Sequence, residues 1–284
     1  MKFIHITDPH IVPSPRTLCA LDPRARLRAA IEDINRHHLD AAFVVMTGDL
    51  AYLGEPEAYR DLRILLNELK LPCHLLVGNH DERSNFQDVF PGTPVDKNGF
   101  VQYVVETPAG AFVMMDTMEA EASYGIYCEQ RFAWLEKQLS DRAGQPVFLF
   151  LHHPPFDIGI ASLDSSRLPD ADRLAGLIKR HGDVRYMFYG HVHRPVWGAW
   201  RGIPTSALPG TNHQVGLTLG DTDEMLGTHE RPAYGVVLIE DDCVNVHLRD
   251  FIDESPRFPL LDKRSKDAVS AADLPQPPAS LAGV

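Results

Sequence analysis

Five short segments gather the side chains best able to hold metal: Asp8-Pro9-His10, Gly48-Asp49, Gly78-Asn79-His80-Asp81, His152-His153 and Gly190-His191-Val192-His193. They offer carboxylates, an amide oxygen and imidazoles. That mixture of hard oxygen and borderline nitrogen donors suits Mn, Fe, Zn or Co. The donors outnumber the needs of one ion, so two divalent or transition metal ions are expected. Two ions need a bridge, and Asp49 fits because each carboxylate oxygen can bind one ion. Gly48, Gly78 and Gly190 admit tight turns and close backbone approach. The chain has 14 histidines. Outside these clusters His5, His37, His38, His74, His181, His229 and His247 read as structural or solvated.

Each segment follows a predicted strand. Apolar runs at 2–7, 42–47, 73–77, 146–151 and 184–189 lead into the five clusters. Helical spacing marks 23–38 through Leu27, Ala30, Ile31 and Ile34, and 56–69 through Tyr59, Leu62, Leu65 and Leu66. Further helices are predicted at 129–142 and 170–181. The opening strand–helix–strand–helix–strand order reads as a parallel α/β sheet, where sites form beyond the carboxyl ends of strands. A hairpin is predicted from 100–106 and 111–115. Beyond residue 196 the chain reads mostly as strands (196–200, 205–208, 233–240, 244–250), predicting a second sheet packed on the first. Residues 1–258 read as one domain, and 259–284 as a polar, Pro- and Ala-rich tail.

A chain of 284 residues can bury a core without disulfides. Hydrophobic residues at 44% and charged residues at 23% exclude wholesale disorder. The 27 basic against 39 acidic residues give a net charge of −12. That charge argues against a nucleic-acid polymer or an anionic membrane as partner. No apolar run reaches 18 residues, the length that marks a transmembrane helix. The start, Met1-Lys2-Phe3-Ile4-His5-Ile6-Thr7-Asp8, does not read as a signal peptide. Cys19, Cys73, Cys128 and Cys243 are scattered without a CxxC pair, so free thiols and a cytoplasmic location are expected.

The ordered set D-x-H, GD, GNH(D/E), HH and GHxH resembles the calcineurin-like metallophosphoesterase superfamily from Asp8 to His193. His152-His153-Pro154-Pro155 and Leu208-Pro209-Gly210-Thr211-Asn212-His213-Gln214 resemble the branch of class III cyclic-nucleotide phosphodiesterases and bacterial glycerophosphodiesterases. The resemblance implies a four-layer α/β/β/α sandwich of two mixed sheets, with a dinuclear metal site at the strand C-terminal ends. It assigns Asp8, His10, Asp49 and His193 to one ion, and Asp49, Asn79, His152 and His191 to the other. His80 matches the non-liganding histidine beside the phosphate, where it would stabilise or protonate the leaving alkoxide. Asp81 is expected to orient the His80 ring.

The implied activity is metal-dependent hydrolysis of a small phosphodiester, a cyclic nucleotide such as 3′,5′-cAMP or a glycerophosphodiester. Two cations clamp the phosphoryl oxygens and lower the pKa of a water that attacks phosphorus in line. A phosphomonoesterase or nucleotide pyrophosphatase would use the same ions, and a metal-free scaffold is the non-enzymatic reading. His213 and Asn212 are candidate substrate contacts, with Arg194 a weaker one. His153 reads as a neighbour of the ligands rather than a ligand. Gly48-Asp49-Leu50-Ala51-Tyr52 also fits the GDxxY of purple acid phosphatases, whose Tyr ligates iron, but here His10 fills that position. The family resemblance leans toward a homo-oligomer.

Overall fold

The computed structural model describes residues 1–169, 171–220, 224–259 and 274–275. The expected tail, 259–284, lies outside the described residues except for 259, 274 and 275. Met1–Phe251 forms one compact unit and Ile252–Val284 another.

The first half of the chain alternates as expected. β1 (Lys2–Ile6) leads through a loop to α1 (Pro23–His37), then β2 (Val44–Thr47), α2 (Pro56–Leu66), β3 (Cys73–Leu76) and a short α3 (Arg83–Val89). Asp22 starts α1 by accepting from the backbone N–H of Arg24 and Ala25, and Pro23 takes the first-turn position its missing N–H tolerates. Leu27, Ala30, Ile31 and Ile34 form the buried face. β1, β2 and β3 pair in parallel.

The hairpin β4 (Tyr103–Thr107) and β5 (Gly110–Met114) opens a second sheet, followed by α4 (Glu129–Asp141), β6 (Val147–Leu151), a one-turn α5 (Ala161–Asp164), α6 (Ala171–His181) and β7 (Val184–Tyr189). The predicted first residue of α6, Asp170, lies outside the described residues. β8 (Val196–Trp200) and β9 (Ile203–Ala207) close this sheet, giving the order β4-β5-β6-β7-β9-β8. A two-residue ladder joins β10 (Gln214–Val215) to β11 (Gly227–Thr228).

The last strands differ from expectation. β12 (Ala233–Ile239) and β13 (Val244–Asp250) do not extend the second sheet; β12 pairs antiparallel with β1, and the first sheet has the order β13-β12-β1-β2-β3. Alternation of apolar residues predicts a strand but not which sheet it joins. The fold is therefore mixed α/β with two mixed sheets.

Side-chain alternation separates the layers. Phe148 and Phe150 of β6 meet Phe112 of β5, whereas Val147, Leu149 and Leu151 pack in a cluster with Phe132 and Leu135 of α4 and Leu174 and Leu177 of α6. Phe3 of β1 crosses the seam between sheets, with its ring 5.1 Å from Phe112 and 5.4 Å from Phe188. These aromatic edges fix the two sheets against each other. The carboxyl ends of β1, β2, β3, β6 and β7 thus meet at one rim.

Candidate metal centre

The loops after these strands are tied together before any ligand is considered. The His10 N–H donates to the Asp49 carbonyl at 2.9 Å, and the Gly190 N–H to the His152 carbonyl at 3.1 Å. Asp8, His10, Asp49, His191 and His193 all take positive φ, between 46° and 71°. Non-glycine residues seldom adopt that region, and such strain clusters where a site demands it. A Cβ on Gly78 would overlap the Asp49 carboxylate and the Asp49 backbone nitrogen, so only glycine lets the β3 loop approach so closely.

Two groups of donors result. Asp8, His10, Asp49 and His193 each place one donor atom within 4.8 Å of the others, and all are buried. The His10 and His193 Nε2 atoms face each other at 2.9 Å, with Asp49 Oδ2 3.4 Å from His10 and Asp8 Oδ1 3.5 Å from His193. His152, His153 and His191 form the second group. Asn79 Oδ1 completes it, 3.2 Å from His152 Nε2 and 3.0 Å from His191 Nδ1. Asp49 faces both groups: its other oxygen, Oδ1, lies 3.3 Å from His152 Nε2.

The donor set fits a cation on chemical grounds. His152 Nδ1 donates to the Thr47 carbonyl at 2.7 Å, so in the neutral ring Nε2 carries a lone pair. That lone pair points at two oxygen acceptors. His193 Nδ1 likewise donates to the His213 carbonyl at 2.9 Å, freeing its Nε2. Acceptors facing acceptors call for a positive charge between them. Burial opposes the charged form of His152, yet the charge and hydrogen bond of Asp49 outweigh it and raise the ring to about 9. Burial also opposes ionisation of Asp49, but His152 and His10 hold its carboxyl well below the usual range. Burial lowers His10 well below the ordinary imidazole range and His191 to about 3, keeping both neutral and ready to ligate.

Around this centre His80 is half-buried. Its Nδ1 donates to the Tyr52 carbonyl at 2.8 Å, its ring stacks on Tyr52, and it stands edge-on to His10 at 4.8 Å. Asp81 does not orient it, contrary to expectation. The Asp81 carboxylate instead accepts from the backbone N–H of Leu50, Ala51 and Gly78 and from the Tyr59 hydroxyl, at 2.8–3.0 Å. Adjacent side chains diverge, so Asp81 staples the β2 and β3 loops while His80 faces the site. Burial and the charge of Asp49 push Asp81 up to about 6.

The ring of His213 lies 4.7 Å from His193 and 5.3 Å from His10. Asn212 is buried; its amide nitrogen lies 3.2 Å from the Leu18 carbonyl and 3.3 Å from His213 Nδ1. Burial and His193 lower His213 to about 4, so the neutral ring presents Nε2–H as a donor. His153 sits on Thr117 Oγ1 through Nδ1 at 2.8 Å. Arg194 pairs with Glu230 and the Val215 carbonyl. The sequence did not single out Thr7 and Thr47, which hold Asp8 and His152 from behind, Thr117, which holds His153, or Tyr59, which holds Asp81. For the three threonines the available signal was a polar residue at or just past the end of an apolar strand; Tyr59, on the buried face of α2, carried none.

Residues 1–195 match the calcineurin-like phosphoesterase family, and the chain belongs to it. A probable cyclic nucleotide phosphodiesterase of Rhodopseudomonas palustris is 43% identical over 273 residues, covering 95% of this chain and all of that protein. The glycerophosphodiester phosphodiesterase GpdQ of Enterobacter lignolyticus is 31% identical, over 78% of this chain and 81% of its own. A dimetal phosphatase from Danio rerio shares the fold, with a TM-score of 0.67 at 15% identity over 89% of this chain and 96% of that one. The chain is thus a metallophosphoesterase whose His/Asp cluster is suited to binding a metal ion.

Proposed function

We propose that this protein is a two-metal phosphodiesterase acting on small phosphodiesters, either a cyclic nucleotide such as 3′,5′-cAMP or a glycerophosphodiester. The observation that carries the reading is the division of Asp49, whose Oδ2 faces His10 and whose Oδ1 faces His152. In this reading Asp8, His10, Asp49 and His193 hold one ion, and Asp49, Asn79, His152 and His191 the other. Such a pair of ions, drawn from Mn, Fe, Zn and Co, supplies positive charge for the phosphoryl oxygens and lowers the pKa of a water. His80 is tethered to the Tyr52 carbonyl through Nδ1, leaving Nε2 to hold or deliver a proton at the leaving oxygen. His213 offers Nε2–H to a phosphoryl oxygen, and Asn212 fixes that tautomer. Asp81 acts on the loops that carry Asp49 and Asn79. Both phosphodiester classes are named for the relatives above.

Residues 1–258 form the catalytic domain in this reading, with 259–284 as a tail. The four cysteines stand unpaired, which favours a reducing compartment such as the cytoplasm. No helix among the described residues is long and apolar enough to cross a membrane. A homo-oligomer is the expected state, on the family resemblance alone.

The test is turnover of the Mn-loaded protein on 3′,5′-cyclic AMP, 2′,3′-cyclic AMP, glycerophosphocholine, and mono- and bis-(p-nitrophenyl) phosphate. Preference for diesters is expected, and the best natural diester selects the substrate class. Preference for the monoester would overturn the diesterase reading.

A further inference from the structure

β1 carries His5 in a strand that is otherwise apolar from Phe3 to Ile6. The side chain is fully buried, with its ring 5.6 Å from Phe188 and 6.5 Å from Phe150 in the seam between the sheets. Its Nδ1 has no partner. An unsatisfied buried nitrogen is destabilising, and a phenyl ring would suit the same surroundings. The cost is offset only if the other nitrogen has a task.

That nitrogen opens a line of hydrogen bonds. His5 Nε2 lies 2.9 Å from Thr47 Oγ1, Thr47 Oγ1 lies 3.0 Å from Thr7 Oγ1, and Thr7 Oγ1 contacts Asp8 Oδ2. The register explains the alignment. β1 and β2 pair in parallel with His5 opposite Val45 and Ile6 opposite Met46, so Thr7 falls beside Thr47. His5 and Thr7, two apart, share a face. Gly190 permits the last link, since a Cβ there would overlap Thr7 Oγ1.

The line has one proton polarity. An ionised Asp8 only accepts, so Thr7 donates to it. Thr7 Oγ1 must then accept from the Thr47 hydroxyl, and Thr47 Oγ1 from His5 Nε2–H. We propose that His5 is a positioning residue for the metal centre, acting through Thr47 and Thr7 to hold the Asp8 carboxylate. Asp8 Oδ2 is engaged by the line, while Oδ1 accepts from the His191 N–H at 3.1 Å and lies 3.5 Å from His193 Nε2. The Thr47 carbonyl meanwhile holds the His152 ring. A hydroxyl on β2 thus supports one group of donors and the carbonyl of the same residue the other. The inference rests on the two-ion reading.

The test is Mn(II) titration of the metal-free full chain, followed by calorimetry and EPR, for wild type, Thr47→Val, Thr47→Ser, His5→Phe and the Thr47→Val/His5→Phe double variant. Two binding steps are expected in wild type. Thr47→Val should weaken one step about tenfold, as losing an outer-sphere partner does, and that step should be the one Asn79→Ala leaves intact. Thr47→Ser should restore it. His5→Phe should weaken the same step, and the double variant should be no worse than Thr47→Val, because both cut one line. Two unchanged steps in Thr47→Val or in His5→Phe, both steps weakened alike, or additive losses in the double variant would each overturn the relay. Wild-type protein that takes up no Mn would overturn the two-ion reading itself.

Discussion

At the scale of single residues, the difference between Asn79 and His80 is the sharpest. Asn79 Oδ1 sits between two imidazole nitrogens, so Asn79→Ala removes a donor from the centre itself. Its loss of metal affinity should exceed the roughly 10- to 100-fold typical of outer-sphere changes, with turnover falling alongside. His80→Ala should keep its metal content and lose rate by about 10²-fold or more, most for alkoxide and least for p-nitrophenolate leaving groups. Metal analysis beside kinetics checks both, and an empty centre in His80→Ala would contradict the role given to it. The candidate ligands were legible because their types recur at strand ends. What holds His80 was not, because the tether is the backbone carbonyl of Tyr52, and a carbonyl leaves no mark in side-chain pattern. Asp81 misled for the related reason that adjacency in sequence suggests contact where alternation forbids it.

At the scale of elements, the site is a product of how five strands end. Ladder hydrogen bonds stop, the chain turns through positive φ at Asp8, Asp49, His191 and His193, and the candidate ligands are thrown inward. Gly78→Ala is the direct probe, because a Cβ there meets Asp49 rather than a flexible surface chain. The variant should fold, since its strand partners are unaffected, but should lose most metal uptake and activity. Full uptake in a folded Gly78→Ala protein would show that the loop approach is not needed. Long periodic elements were readable: β7, β8 and β13 match their predicted limits, and α1 and α4 end one residue early. The short α3 and α5 were not, because one or two turns give no periodicity to detect. β12 and β13 were readable as strands, but their pairing with β1 depends on long-range contacts.

At the scale of the whole molecule, two sheets lock through an aromatic seam that also buries His5. Its imidazole is lowered from 6.5 to about 3 by burial. Between those values the unfolded chain binds a proton that the folded chain refuses, so stability falls as pH drops through that window. The slope from this group is about 1.4 kcal/mol per pH unit. Asp81, raised to about 6, contributes with the opposite sign, gaining stability as pH falls toward the ordinary carboxylate range. Denaturant unfolding of the metal-free protein should therefore lose about one proton's worth of acid slope in His5→Phe, with the Asp81 contribution unchanged. An unaltered slope would contradict the neutral, buried state of His5. The measurement that bears most directly on the proposed two-ion centre is metal stoichiometry of the purified, Mn-loaded protein against Asp49→Ala. Two ions per chain in wild type and loss of both in the variant are expected, because one carboxylate faces both groups of donors. Retention of a full second ion in Asp49→Ala, or a single ion in wild type, would contradict it.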